Sequence, residues 1–389
     1  MKFGLLCDDP AAANIIAALR QHPDHSLTRA VLVSPQADEL LHGQAGVVCT
    51  ERWEDLLVDD SVQAVLVGGT SPDVWEGARQ LATDGVPLLI VPQLAGAGAM
   101  LYELSLIRDD RQGILFPAWL HRFDPAVLRL RDQLQAASDM TVTYAQWERN
   151  VPLGAGTELP RALIDAELFR DVDLWHGLFP ATDQVTALRT GGTETGSLIH
   201  SVALCGRTIP ELSWTIRSGT THVSRLTLQT NRGIWVWTES APEAGWSLTG
   251  ELANPAKAET GPIPARSLID AFAAAVAGQP DTGEWPRVLR AAEVVDAAQR
   301  SLLRRRTIDL HHEPLSERAI FKSQMAALGC SVLMLTLVLM LGFLAVGSVV
   351  PLDGRVLQIA RVLIFTPLFL FLLLQLLFPL TRAPASRAK

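Results

Sequence analysis

The chain predicts an α/β domain with a parallel sheet, then an α+β domain with a largely antiparallel sheet, then two apolar helices. Three observations carry this. Strand-like and helix-like segments alternate over residues 2–122, period-two apolar stretches dominate about 124–315, and two long uncharged runs fill the last quarter. In 389 residues, length alone predicts two to three domains. Hydrophobic residues make up 48% and charged ones 19%, below the roughly 25% usual in soluble domains, which requires an unusually apolar stretch somewhere.

In the first region the order is KFGLLC, PAAANIIAALRQ, RAVLVS, ADELLHG, QAVLVGG, PDVWEGARQLATDG and PLLIV. Short apolar strands separated by amphipathic helices give a parallel sheet with helices on both faces, a Rossmann-type half over residues 1–123. In the second region, 124–315, HVSRLTLQT and RGIWVWTE alternate with period two, and helices are expected near 160–179 and 264–306.

Between Lys322 and Asp353 lie 30 uncharged residues, and 20 more separate Arg361 from Arg382. A bilayer core of about 30 Å needs about 20 helical residues, so residues 316–389 predict a membrane anchor with helices at about 325–350 and 362–380. Arg318, Lys322, Arg382, Arg387 and Lys389 flank the pair, against Arg355 and Arg361 in the turn, which places the body and both termini in the cytoplasm at the inner membrane. Neither run contains an acidic residue or histidine, so a transporter or channel is disfavoured.

The net charge of −8 argues against a nucleic-acid partner bound by phosphate neutralisation. Cys7, Cys49, Cys205 and Cys330 form no CxxC pair and signal neither a metal site nor a disulfide framework.

The run from Glu51 to Gln93, the segment LFPAWLHRFDPAVLRLRDQL and the closing AAEVVDAAQRSLLRRRTIDL together resemble, in their order and spacing, the Gfo/Idh/MocA family of glucose-fructose oxidoreductase and inositol dehydrogenase. The resemblance covers about residues 1–312. It implies a nicotinamide cofactor, NAD or NADP, acting on sugars or polyols, and it directs attention to three places.

The first turn, GLLCDDPAAAN, holds only Gly4, and Asp8 and Asp9 stand where a pyrophosphate would lie. Asp9 is a good N-cap and Pro10 suits the first helical position, so the helix end that should attract phosphate is capped by carboxylate. The second strand ends at Ser34, where an acidic residue would hold the ribose; a turn serine is the plainer reading.

At the family's Glu-Lys-Pro motif this chain has Val91, Pro92 and Gln93, and no lysine occurs between Lys2 and Lys257. At the family's Asp and His, four residues apart on a helix, stand Ala166 and Arg170, with Asp173 matching a later family aspartate. A guanidinium stays protonated and is no general base. Matching the segment 155–180 to the family a few residues out of this register would bring Asp165 or Asp171 toward the site. His121, His176 and His200 read first as packing or surface histidines.

Gly68, Gly69 and Thr70 end a parallel strand, where open α/β sheets bind ligands. With Arg122 and Asp173 they make the remaining candidate pocket, for a small sugar-like ligand. Trp235 and Trp237 share a strand face and read as sheet packing. Arg304, Arg305 and Arg306 read equally as an attraction for anionic lipid or a solvated helix end.

The expected function is a membrane-anchored oxidoreductase homologue that has lost catalysis and binds or scaffolds, with no cofactor. A homo-oligomer through the second-domain sheet is permitted. The alternative is an active NAD(P)-dependent oxidoreductase of a sugar or polyol derivative, its site rearranged around Arg122, Arg170 and Asp173.

Overall fold

The computed structural model describes residues 1–310, apart from 42–45, 60, 95–97, 137–138, 155–156, 192–198, 208, 240–245, 251–263 and 281–282, together with residue 331 and residues 334–343. Met1–His311 and His312–Lys389 are separate units.

Six parallel strands form the first sheet: β1 (Lys2–Cys7), β2 (Ser26–Val31), β3 (Val48–Thr50), β4 (Ala64–Gly68), β5 (Leu88–Ile90) and β6 (Leu115–Pro117). Their order is 3-2-1-4-5-6, so β1 and β4 lie at the centre and the strand order reverses between them. Centrality explains the near-continuous apolar character of KFGLLC, since both faces of β1 are covered.

Phe3, Leu5 and Cys7 face one layer, with α1 (Ala13–Gln21), which supplies Ile15 and Ile16. Leu6 faces the other, with Val74 and Ala78 from α4 (Pro72–Thr83). The helices α2 (Pro35–Leu40) and α4 start at Ser34 and Ser71, whose hydroxyls accept from Ala37 N–H and Val74 N–H. This confirms Ser34 as a capping turn serine. The remaining helices of this region are α3 (Asp55–Val58), α5 (Gly98–Arg111) and α6 (Pro125–Ala136).

The second sheet has eight strands: β7 (Val142–Val151), β8 (Gln184–Thr190), β9 (Ile199–Cys205), β10 (Glu211–Ser218), β11 (Val223–Thr230), β12 (Gly233–Glu239), β13 (Trp246–Gly250) and β14 (Ile308–Asp309). Their order is 13-12-11-7-10-9-8-14. The sheet is mixed rather than uniformly antiparallel, because β7 and β10 pair in parallel at its centre, Trp147 beside Trp214.

One face is packed. Ala145 and Trp147 of β7, Trp214 and Ile216 of β10, and Leu226 of β11 join Trp175 of α7 (Arg161–Leu178) and Trp285 of α9 (Trp285–Arg304) in one core. Trp235 and Trp237 are buried in the same core, which supports the packing reading. The helix α8 (Pro264–Val276) follows the second sheet in sequence yet returns to the first, where Phe272 meets Phe3 and Phe116. Arg304, Arg305 and Arg306 end α9 exposed to solvent.

The membrane expectation is corrected. Among the described residues no helix is long and apolar enough to cross a membrane. The described helical stretch 334–343 rises only about 15 Å at 1.5 Å per residue, half of a bilayer core. The multi-pass placement with cytoplasmic body and termini therefore does not hold, and the segment at about 362–380 lies outside the described residues.

Candidate functional site

The C-terminal edge of the first sheet is where its chemistry concentrates. Beyond β1 the chain turns through Asp8 and Asp9 into a 3-10 turn, Pro10–Ala12, that leads directly into α1. The Asp8 N–H donates to Gly68 O at 3.0 Å, locking the ends of β1 and β4 together. Asp9 caps the turn: its Oδ1 accepts from Ala11 N–H at 2.9 Å, and its Oδ2 accepts from the Gln93 side-chain amide. Ala12 N–H donates to Asp9 O, and Ala13 N–H to Pro10 O. The three amides after Pro10, which would cradle a phosphate, thus already have acceptors within the turn.

The Asp8 carboxylate lies over Gly69. A Cβ built on Gly69 would fall 1.8 Å from Asp8 Oδ1, and Gly69 has φ +133°, a conformation that glycine alone adopts readily. Burial raises the Asp8 pKa above the ordinary value and Asp9 adds to the rise, while its own backbone N–H and the Ser34 hydroxyl oppose it. Burial also pushes the Cys7 thiol up to about 12, so it is an inert packing group.

A dinucleotide diphosphate does not fit these residues. Its charge would meet two carboxylates and amides that are already occupied.

Pro92 is buried just beyond β5, and Val91 lies against Gly68. No ammonium reaches this edge from Lys2, which starts β1 about 17 Å away at about 3.3 Å per residue. Lys257 lies outside the described residues. On α7, Ala166 is exposed, and Arg170 pairs with Glu239 at 3.1 Å, with Glu167 and Asp171 at 3.7 and 3.9 Å. Asp165 instead accepts from Gln299 of α9, at 2.7 Å.

Asp171 does border the cleft described below, but its carboxylate is taken by Arg149 and by Trp214 Nε1–H at 2.8 Å. Arg149 is itself 1% exposed, so this pair is a buried structural bond.

The predicted pocket residues fall into two groups. Gly68, Gly69 and Thr70 stay at the strand end, while Arg122 and Asp173 meet in the interior. Arg122 Nε donates to Asp173 Oδ2 at 2.9 Å, its Nη2 donates to Oδ1, and its Nη1 donates to Gly283 O. Arg287 Nε stands 3.5 Å from the same carboxylate. Burial alone would raise the Asp173 pKa, but Arg122 and His121 hold it well below the usual carboxylate range.

His121, read from sequence as a packing or surface histidine, lies instead at a cleft and against a buried carboxylate. Its Nε2 lies 2.9 Å from Asp173 Oδ2, its ring lies 5.0 Å from that of Trp119, and it borders a cleft of about 650 Å³. Asn14, Trp119, Arg170, Leu174 and Glu239 line the same cleft, and Val91 joins it to the strand end. The pairing of HRFDP with Asp173 joins residues 52 apart, and no local sequence pattern encodes it. Of the other histidines, His176 Nε2 lies 3.2 Å from the Thr182 hydroxyl, and His200 sits in the β9 ladder opposite Arg189 and Ile216.

One further cluster, His22, His25 and Asp270, has metal-like composition. Its tautomers oppose that role. His22 Nδ1 accepts from Asp24 N–H at 3.2 Å and His25 Nδ1 from the N-terminal ammonium at 3.0 Å, so each Nε2 carries its proton toward Asp270.

No family model matches the chain, and no curated protein matches it. Solved structures do. A myo-inositol dehydrogenase from Corynebacterium glutamicum shares 14% identity at TM-score 0.59, over 80% of this chain and 99% of its own. GenD2 from gentamicin A biosynthesis, solved with NAD, shares 15% at TM-score 0.62, over 80% and 96%. An oxidoreductase from Agrobacterium radiobacter, solved with NAD+, L-tartaric acid and magnesium, shares 13% at TM-score 0.59, over 79% and 98%. The chain thus has the fold of Gfo/Idh/MocA-type oxidoreductases, inositol dehydrogenase-like, and identity this low shows the fold alone.

Proposed function

We propose that this protein uses the oxidoreductase fold to bind a small polar ligand in the cleft beside His121, without a nicotinamide dinucleotide and without dehydrogenation. The observation that carries the reading is the cradle filled by its own side chains, with Asp8 over Gly69 and Asp9 bonded to Ala11 and Gln93. The absence of a lysine at Pro92 and of a base at Ala166 and Arg170 supports it. The division at about residue 123 and a homo-oligomer through the outer face of the second sheet belong to the same proposal.

Thermal unfolding of the full chain with 1 mM NAD+, NADH, NADP+ or NADPH tests it. Binding at 10 μM would stabilise by about 2.7 kcal/mol and raise Tm by several degrees. The expected shift is under 1 °C with all four, and a rise of several degrees with any one overturns the reading.

A second reading is an active NAD(P)-dependent oxidoreductase of a sugar or polyol derivative. The His121–Asp173 pair at the cleft favours it, as do the neighbours solved with NAD.

A further inference from the structure

The end of α9 carries charges that the fold does not use. Along the helix Asp296 and Arg300 pair one turn apart at 2.8 Å, and Arg304 follows on the same face with that carboxylate already taken. Arg305 and Arg306 come next. None of the three guanidiniums has a hydrogen-bond or ion-pair partner among the described residues, and Asp309, the next carboxylate in the chain, accepts from the Gln184 amide at 2.9 Å. A cation in the last turn favours the helix dipole, which accounts for Arg304 alone, since the effect fades beyond the helix.

Two further features work against stability here. Arg305 has φ +50° and ψ +42°, the left-handed cap conformation that glycine ordinarily supplies, and it stands between like charges. Beside it Leu302 is 39% and Leu303 78% exposed. The backbone is nonetheless held. Ser301 Oγ donates to Arg306 O at 2.7 Å and accepts from Ala187 N–H at 2.9 Å, which ties the basic turn to β8 and presents leucines and arginines together.

We infer that the end of α9 is a peripheral docking site for an anionic lipid bilayer, with Arg304, Arg305 and Arg306 at headgroup phosphates and Leu302 and Leu303 entering the hydrocarbon boundary. Such a surface supplies both partners at once, an anionic layer and an apolar phase. Nucleic acid would meet the guanidiniums but leave the leucines in water. The contact requires no spanning helix and is independent of what occupies the cleft.

Co-sedimentation of the full chain tests it, with vesicles of phosphatidylcholine alone and of phosphatidylcholine with phosphatidylglycerol. Each basic residue near an anionic surface is worth about fivefold in partitioning, so phosphatidylglycerol should strengthen binding at least about tenfold. That advantage should fall steeply as salt shortens the reach of the surface charge. The triple change Arg304→Gln, Arg305→Gln, Arg306→Gln alters only exposed side chains and should bring binding within about twofold of the phosphatidylcholine value. Leu302→Ser with Leu303→Ser should weaken binding to the anionic vesicles by about fivefold.

Equal binding to the two kinds of vesicle, an advantage that survives the triple change, or unaltered binding of the leucine variant overturns the inference. So does tighter binding to a short single-stranded RNA or to poly-glutamate than to the anionic vesicles, which would make the arginines a contact for nucleic acid or for an acidic protein.

Discussion

Replacing Asp173 by Asn should be among the most damaging single changes in the unit Met1–His311. Asp173 is 0% exposed and accepts from Arg122 twice and from His121 once, with Arg287 beside it. Asparagine keeps the shape but removes the charge, leaving Arg122, 8% exposed, without a counter-ion. Breaking one side of a buried pair costs about 3–5 kcal/mol. At about 2–4 °C per kcal/mol, Tm should fall by roughly 10 °C.

The control is the double change Asp173→Leu with Arg122→Met, which removes both charges. Arg287 then still has Glu284, at 2.7 Å. Because paired removal leaves no unpaired buried charge, only the His121 Nε2 donor and the Gly283 O acceptor without their partners, the double variant should lose clearly less than Asp173→Asn. Urea unfolding at pH 7 measures both. A cost under about 1 kcal/mol for Asp173→Asn, or a double variant as damaged as the single, would refute the electrostatic account.

Other consequences follow from the same geometry. His121 has a folded pKa of about 4, below the usual 6.5, so its contribution to stability is complete above about pH 6.5 and is lost as pH falls through 4. The loss sums to about 3 kcal/mol, and His121→Phe should flatten the urea-midpoint profile across that window. Gly69→Ala should cost at least about 2 kcal/mol by urea unfolding, since Cβ meets the Asp8 carboxylate in a strained conformation; adding Asp8→Gly should recover only the steric part. Asp9→Ala should cost about 1 kcal/mol through the lost cap on Ala11 N–H, a change that calorimetry resolves.

Much of the fold was legible because its signals are local. KFGLLC and QAVLVGG read as buried parallel strands since both of their faces are covered, and Asp9-Pro10 and Ser71-Pro72 mark helix starts by capping chemistry. The parallel pairing of β7 with β10 was not legible, because Trp147 and Trp214 sit in strands whose period-two pattern is the same in either direction. The return of α8 to the first sheet was equally hidden, since its apolar stripe does not say which face it covers.

At the site, the carboxylates in the first turn could be read directly. The joining of His121 to Asp173 and of Arg149 to Asp171 depends on tertiary packing across 52 and 22 residues. The tail was expected from its lack of charge to hold two spanning helices, and among the described residues no helix is long and apolar enough to cross a membrane.

The central claim is that Asp8 and Asp9 close the nucleotide cradle, and isothermal titration of NADH and NADPH into the full chain tests it beside an Asp8→Gly, Asp9→Ser variant. The account predicts no heat of binding for the wild type up to millimolar nucleotide, and a measurable gain once both carboxylates are gone. Micromolar binding to the wild type, unchanged or weakened in the variant, would contradict it.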